Sequence, residues 1–121
     1  MIPEEADLMP ESMRALEQAR ITANVAHQIV VKFKQMGLPG SFDKELAALS
    51  TDLGDLWGAQ KSFSDRIELL LSNNADDWKS TGEHLVDLRG TIDHIAWHLK
   101  SVRKPLTKVT QFAYKCREES V

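Results

Sequence analysis

The stretch Leu46-Ala47-Ala48-Leu49-Ser50-Thr51-Asp52-Leu53-Gly54-Asp55-Leu56-Trp57-Gly58-Ala59-Gln60-Lys61-Ser62-Phe63-Ser64-Asp65-Arg66-Ile67-Glu68-Leu69-Leu70 decides the fold. Leu46, Leu49, Leu53, Leu56, Gln60, Phe63, Ile67 and Leu70 recur at alternating steps of three and four, which lines one edge of an α-helix. No period-two alternation competes with this pattern. Gln60 is the polar member of the file, read either as a register-fixing residue or as a partly exposed position. Ser41 is the expected N-cap, with Asp43 and Glu45 favouring the positive end of the helix dipole in the first turn.

The same logic extends in both directions. From about Glu11 to Met36, Leu16, Ala19, Ala23, Ala26, Val30 and Phe33 form an alanine-rich stripe that lets a neighbouring backbone approach closely. Gly37-Leu38-Pro39-Gly40 ends that helix. Downstream, Ser72-Asn73-Asn74-Ala75-Asp76 reads as a turn with Asn74 or Asp76 as the next cap. A third seam runs Trp78, Thr81, Leu85, Leu88, Ile92, Ile95, Leu99, Val102, Leu106, Val109, Ala113 and Cys116.

The expected fold is therefore all-α: an up-down-up bundle of three long amphipathic helices. The third helix is expected to kink or break at Pro105, where the ring removes a backbone donor and crowds the preceding turn, or to restart there as a short fourth helix. At about 1.5 Å per residue the residues past Pro105 overhang by roughly 20 Å, which calls for a fold-back or a partner. Gly54, Gly58 and Gly90 fall outside the seams. They mark either close helix contact or, at Gly54, a break that would give four helices. Residues 1–10 read as a loose acidic leader, and residues 11–121 as one helical domain.

The chain has 121 residues, 42% hydrophobic and 27% charged, with formal net charge −3. That is globular composition, with no apolar run near the ~20 residues a membrane span needs. The start of the chain lacks the apolar core of a secretion signal, and a single cysteine, Cys116, excludes an intramolecular disulfide. A soluble protein of a reducing cytoplasm is the expectation.

Charge is unevenly placed along the expected topology. Lys32, Lys34, Lys44, Lys100, Arg103, Lys104, Lys108, Lys115 and Arg117 gather at one pole, nine of the fifteen Lys and Arg residues. Glu4, Glu5, Asp7, Glu11, Glu17, Asp65, Glu68, Asp76, Asp77 and Glu83 gather at the other. Such a field steers an acidic protein or a second copy onto the basic end. The expected partner surface is Lys100, Arg103, Lys104, Lys108, Phe112, Tyr114, Lys115 and Arg117. The plainer reading is a solvated set of cations complementing a helix C-terminus. Nucleic acid is disfavoured by the acidic balance and the lack of a binding motif.

Two constellations carry alternative chemistry. His94 and His98 stand four apart on one helical face, the spacing that holds two ligands of a metal ion, with Asp87, Glu83, Asp93 or His27 as a third. Their ordinary reading is a pair of surface histidines beside a buried seam. Leu88-Arg89-Gly90-Thr91-Ile92-Asp93-His94-Ile95-Ala96-Trp97 resembles the Arg-x4-His signature of HEPN-type α-helical domains, some of which are metal-independent ribonucleases acting as dimers. That resemblance implies His94 as acid or base at a phosphate and Arg89 as stabiliser of developing charge; it covers about ten residues, with Gly90 where a polar residue commonly follows the arginine.

Trp57, Trp78 and Trp97 are expected to cover seams or anchor an interface. Cys116 is expected to be buried or interfacial. The functional expectation is a non-enzymatic, self-associating helical protein that acts through protein–protein interaction and carries no cofactor. The alternatives are the HEPN-like ribonuclease and a metal-binding bundle.

Overall fold

The structure is a computed structural model that describes residues 11–72 and 77–119. It is all-α, with no strand among the described residues. α1 spans Glu11–Gln35, a single 3-10 turn covers Gly40–Phe42, α2 spans Asp43–Ser72 and α3 spans Trp78–Glu119. The acidic leader and the candidate caps Asn74 and Asp76 lie outside the described residues.

Each boundary has a local cause. Gly37 adopts a φ of 91°, open to glycine but strained for other residues, and turns the chain out of α1. The Leu38 amide then donates to the Phe33 carbonyl and the Gly37 amide to the Lys34 carbonyl, each at 3.0 Å. Two of the otherwise orphaned carbonyls at the end of α1 are thereby satisfied, in a Schellman arrangement. Leu38 is carried into the interior. Ser41 does not cap α2 as expected. The chain enters through the 3-10 turn, closed by the Phe42 amide on the Pro39 carbonyl at 2.9 Å, and Asp43 pairs with Lys34 across the corner. Asp77 caps α3, its Oδ1 accepting the Ser80 amide at 2.7 Å.

Neither expected break occurs. α2 runs through Gly54 and α3 runs through Pro105 as single helices, so there is no separate fourth helix. Pro105 is itself buried. Burial of its apolar ring helps offset the hydrogen bond that the helix forgoes.

α2 is the central helix, packed by α1 on one flank and α3 on the other, and both pairings are antiparallel. Gln18 reaches Gly58 while Ala26 lies against Gly54; Arg66 meets Asp87, Asp52 meets Ser101, and Phe42 meets Phe112. The up-down-up order follows. The Phe42 and Phe112 rings lie 5.1 Å apart, so the segment after Pro105 packs back on the start of α2. Only the last turns of α3 run on past that contact, about 10 Å of helix.

The α1–α2 contact depends on glycine. A Cβ on Gly54 would sit 2.7 Å from the Thr22 carbonyl oxygen and 3.2 Å from the Ala26 Cβ; one on Gly58 would sit 2.4 Å from the Thr22 Oγ1. Gly54 and Gly58, one turn apart, therefore bring the two backbones together, the close-contact reading of the sequence. The inner row of α1 includes Gln18, Thr22 and Ala26, whereas Leu16, Ala19 and Ala23 of the expected stripe are exposed.

On α2, Leu46 and Leu49 are fully buried, Leu53, Leu56, Ile67 and Leu70 are half-buried, and Gln60 is exposed, so it fixes no register from within a core. On α3 the seam divides in two. Thr81, Leu88, Ile95, Val102 and Val109 do turn inward, but they alternate with His84, Thr91, His98, Pro105 and Phe112. The other half of the expected seam, Leu85, Ile92, Leu99 and Leu106, is 45–51% exposed.

Candidate functional site

The interior of the α2–α3 contact is polar where a leucine seam would be apolar. Asp52 and His98 are both 5% exposed. The His98 Nδ1–H donates to Asp52 Oδ1 at 2.8 Å, and the Ser101 hydroxyl donates to Asp52 Oδ2 at 2.8 Å. A carboxylate is an acceptor only, so the contact fixes the proton on Nδ1. On the other side of the ring, Nε2 lies 3.4 Å from Asp55 Oδ2. His94 and Trp97 abut the ring edge-on, with centroids at 4.6 and 4.9 Å. His98 is thus enclosed on all sides, and the reading of this residue as a surface histidine is corrected: it is part of the core.

The cluster contains Ser, His and Asp, but not in the order nucleophilic catalysis needs. Ser101 donates to the carboxylate rather than to the imidazole, so no base is positioned to activate its hydroxyl. Its evident role is structural. Both Asp52 oxygens and the His98 Nδ1 are partnered, and among the described residues no buried side-chain nitrogen or oxygen lacks a partner.

The cluster borders an open groove of about 390 Å³ between α1 and α3, floored by Gly58 and Ala59 of α2. Gln18, Thr22, Asp55, Asp87 and His94 line it. His94 is therefore in a cleft, but Arg89 is exposed and lies outside the groove lining, five residues and more than a third of a helical turn away. Within one chain the two residues of the Arg-x4-His element do not converge. His94 and His98 are adjacent, yet both nitrogens of His98 face aspartates, and among the described residues no three His, Cys, Asp or Glu side chains form a group able to hold a metal ion.

The basic pole is built as the topology implies. Lys100, Arg103, Lys104, Lys108, Tyr114, Lys115 and Arg117 are exposed on α3. Phe112 is not a free contact residue, because its ring is committed to Phe42. Beside that pair, Ser41, Glu45, Lys108, Gln111, Lys115 and Glu119 frame a shallow open hollow of about 630 Å³. Cys116 also borders it and is exposed, which corrects the buried alternative of the expectation that it is buried or interfacial. The three tryptophans do not seal seams: Trp57, Trp78 and Trp97 are all exposed.

Sequence reasoning missed Asp52, which no motif singles out. The one signal for it was its position three residues after Leu49, on the row that continues toward Leu56. Comparison with family models, with curated proteins and with solved structures gives no match to this chain. Among the described residues no helix is long and apolar enough to cross a membrane.

Proposed function

We propose that this chain is a non-enzymatic interaction protein that associates with itself in coiled-coil fashion and engages an acidic protein partner through the basic end of α3. One observation carries the reading: Leu85, Ile92, Leu99 and Leu106 form an unbroken heptad file along α3, each left about half exposed by the rest of the described chain. Scattered exposed leucines are ordinary on any protein, but a contiguous apolar strip marks a surface that binds. The balance of the whole domain supports it. Among the described residues the buried apolar side chains are Leu38, Leu46, Leu49, Ala59, Val102 and Pro105, far fewer than the large apolar side chains left in solvent.

The basic end adds a second element of the same function. Lys100 to Arg117 carries six cations and no acid. A field of that kind accelerates encounter with an acidic surface and orients it. Size-exclusion chromatography with light scattering, from micromolar concentration upward, tests the self-association; a mass of one chain throughout defeats it. Titration with poly-glutamate tests the basic end, where reversing Lys100, Arg103, Lys104 and Lys108 to glutamate is expected to abolish binding. Equal binding by both proteins counts against that surface.

A further inference from the structure

Resting on the self-association just proposed, we infer that the partner of the exposed α3 file is a second copy of this chain, laid antiparallel across it with its two-fold axis between Ile95 and Ala96.

The placement of the file comes first. At about 100° per residue, Leu85, Ile92, Leu99 and Leu106 lie on one side of the row that faces α2, while Asp87, Gly90 and His94 of the groove lie on the other. The file is thus on the face of the molecule away from the groove. Trp57 of α2, 45% exposed, lies by the same count roughly opposite the groove-lining Asp55 and Ser62, so apolar surface of α2 also faces that way.

Self-complementarity is the second point. A two-fold contact requires that residue i of one copy meet residue j of the other, and j meet i. The file satisfies this rung by rung: Leu85 falls opposite the second copy's Leu106, Ile92 opposite its Leu99, and Trp78 opposite its Ala113. Each rung has its centre midway between Ile95 and Ala96. Small Ala96 sits where the two helices cross, and its exposure leaves room for close approach.

Area and charge select the occupant and its direction. With Trp78, these five apolar side chains present on the order of 700 Å² per copy, near the roughly 800 Å² per partner of a standard stable interface. A parallel copy would set Lys100, Arg103, Lys104, Lys108, Lys115 and Arg117 beside the same six cations. An antiparallel copy sets them instead beside the end where the acids Asp65, Glu68, Asp77, Glu83 and Asp87 outnumber the bases Lys61, Arg66, Lys79 and Arg89. Like charges brought together are penalised and opposite ones are not, so the antiparallel pairing is favoured.

Cysteine cross-linking in a Cys116→Ser background tests the arrangement. Ala96→Cys places the two thiols near the axis and is expected to give a disulfide dimer at least about ten times faster than Leu106→Cys. In the latter the two sites stand about 30 Å apart, far beyond the ~4.4–6.8 Å Cα separation of a disulfide. An equimolar mixture of Ile92→Cys and Leu99→Cys proteins is expected to form mixed dimers in preference to either homodimer, which keeps the test open if one variant misfolds. Rapid cross-linking of Leu106→Cys would mean a parallel pair and overturn the inference. A dimer by light scattering with no preferred cross-link would place the contact on another face and overturn it too, leaving self-association standing. A parent protein of one-chain mass removes both.

Discussion

Asp52 and His98, forty-six residues apart in sequence, bond at 2.8 Å with both side chains almost wholly removed from solvent. The pair fixes the register of α3 against α2, because a shift by one residue in either helix would strand a carboxylate in the interior. Removing His98 leaves the buried Asp52 carboxylate with the Ser101 hydroxyl alone, which costs more than the lost bond itself contributes. His98→Ala is accordingly expected to lower unfolding free energy by about 3 kcal/mol. Ser101→Ala, which leaves Asp52 its stronger donor, should cost about 1 kcal/mol. Urea denaturation followed by circular dichroism measures both; equal and negligible losses would mean that the cluster does not hold the register.

The glycines of α2 are ranked by what surrounds them. Alanine normally stabilises a helix by about 1 kcal/mol relative to glycine. At Gly54 the added Cβ meets a backbone oxygen, that of Thr22, which moves only if α1 moves. At Gly58 it meets the Thr22 and Gln18 side chains, which can turn aside at the loss of the Gln18 bond to the Gly58 carbonyl. Gly54→Ala is expected to destabilise by about 1–3 kcal/mol and Gly58→Ala by less. Thermal melts of the two variants give the order, and the reverse order would place the tight contact elsewhere.

Gly82 behaves in the opposite sense. It lies within α3 with nothing inside 4 Å of the point an added Cβ would occupy, and its φ is not positive. Gly82→Ala should therefore gain about 0.5–1 kcal/mol, chiefly by restricting the unfolded chain. A melt shifted downward would show that this part of α3 is not helical in solution.

The sequence was most legible where hydrophobicity and burial coincide. Leu46 and Leu49 mark the inner edge of α2, and Gly37 ends α1 through the backbone conformation it alone tolerates. It misled on half of the α3 seam for a physical reason. The row that faces α2 includes His84, Thr91, His98 and Pro105, whereas the adjacent row offers Leu85, Ile92, Leu99 and Leu106. Periodicity joins Leu88, Ile95, Val102 and Val109, which do face α2, with that adjacent row in one seam, and only the adjacent row is left half in solvent. The Asp52–His98 bond was illegible for a different reason, since it depends on the register between two helices and each residue alone looks like an ordinary surface polar. The basic pole needed only topology, and its exposed cations stand where topology places them; Phe112 is the exception, its ring being occupied by Phe42.

That division of α3 into two rows gives the sharpest contrast between positions, because Leu99 and Val102 are three residues apart on one helix and differ in everything that matters. Val102 is 6% exposed against α2, so Val102→Glu buries a carboxylate with no donor prepared for it and should cost several kcal/mol, enough to unfold a domain of this size. Leu99 is 51% exposed, so Leu99→Glu leaves the carboxylate in water. At concentrations below association its unfolding free energy should match that of the parent within about 0.5 kcal/mol. Above that concentration the two proteins should part, because a glutamate on the file faces the second copy's Ile92 and the measured mass should fall from two chains to one. Helicity with loss of mass at Leu99, against loss of helicity at Val102, is the expected pair of results. If Leu99→Glu unfolds the monomer, the exposed file is part of the core; if it leaves a dimer intact, the copies meet elsewhere.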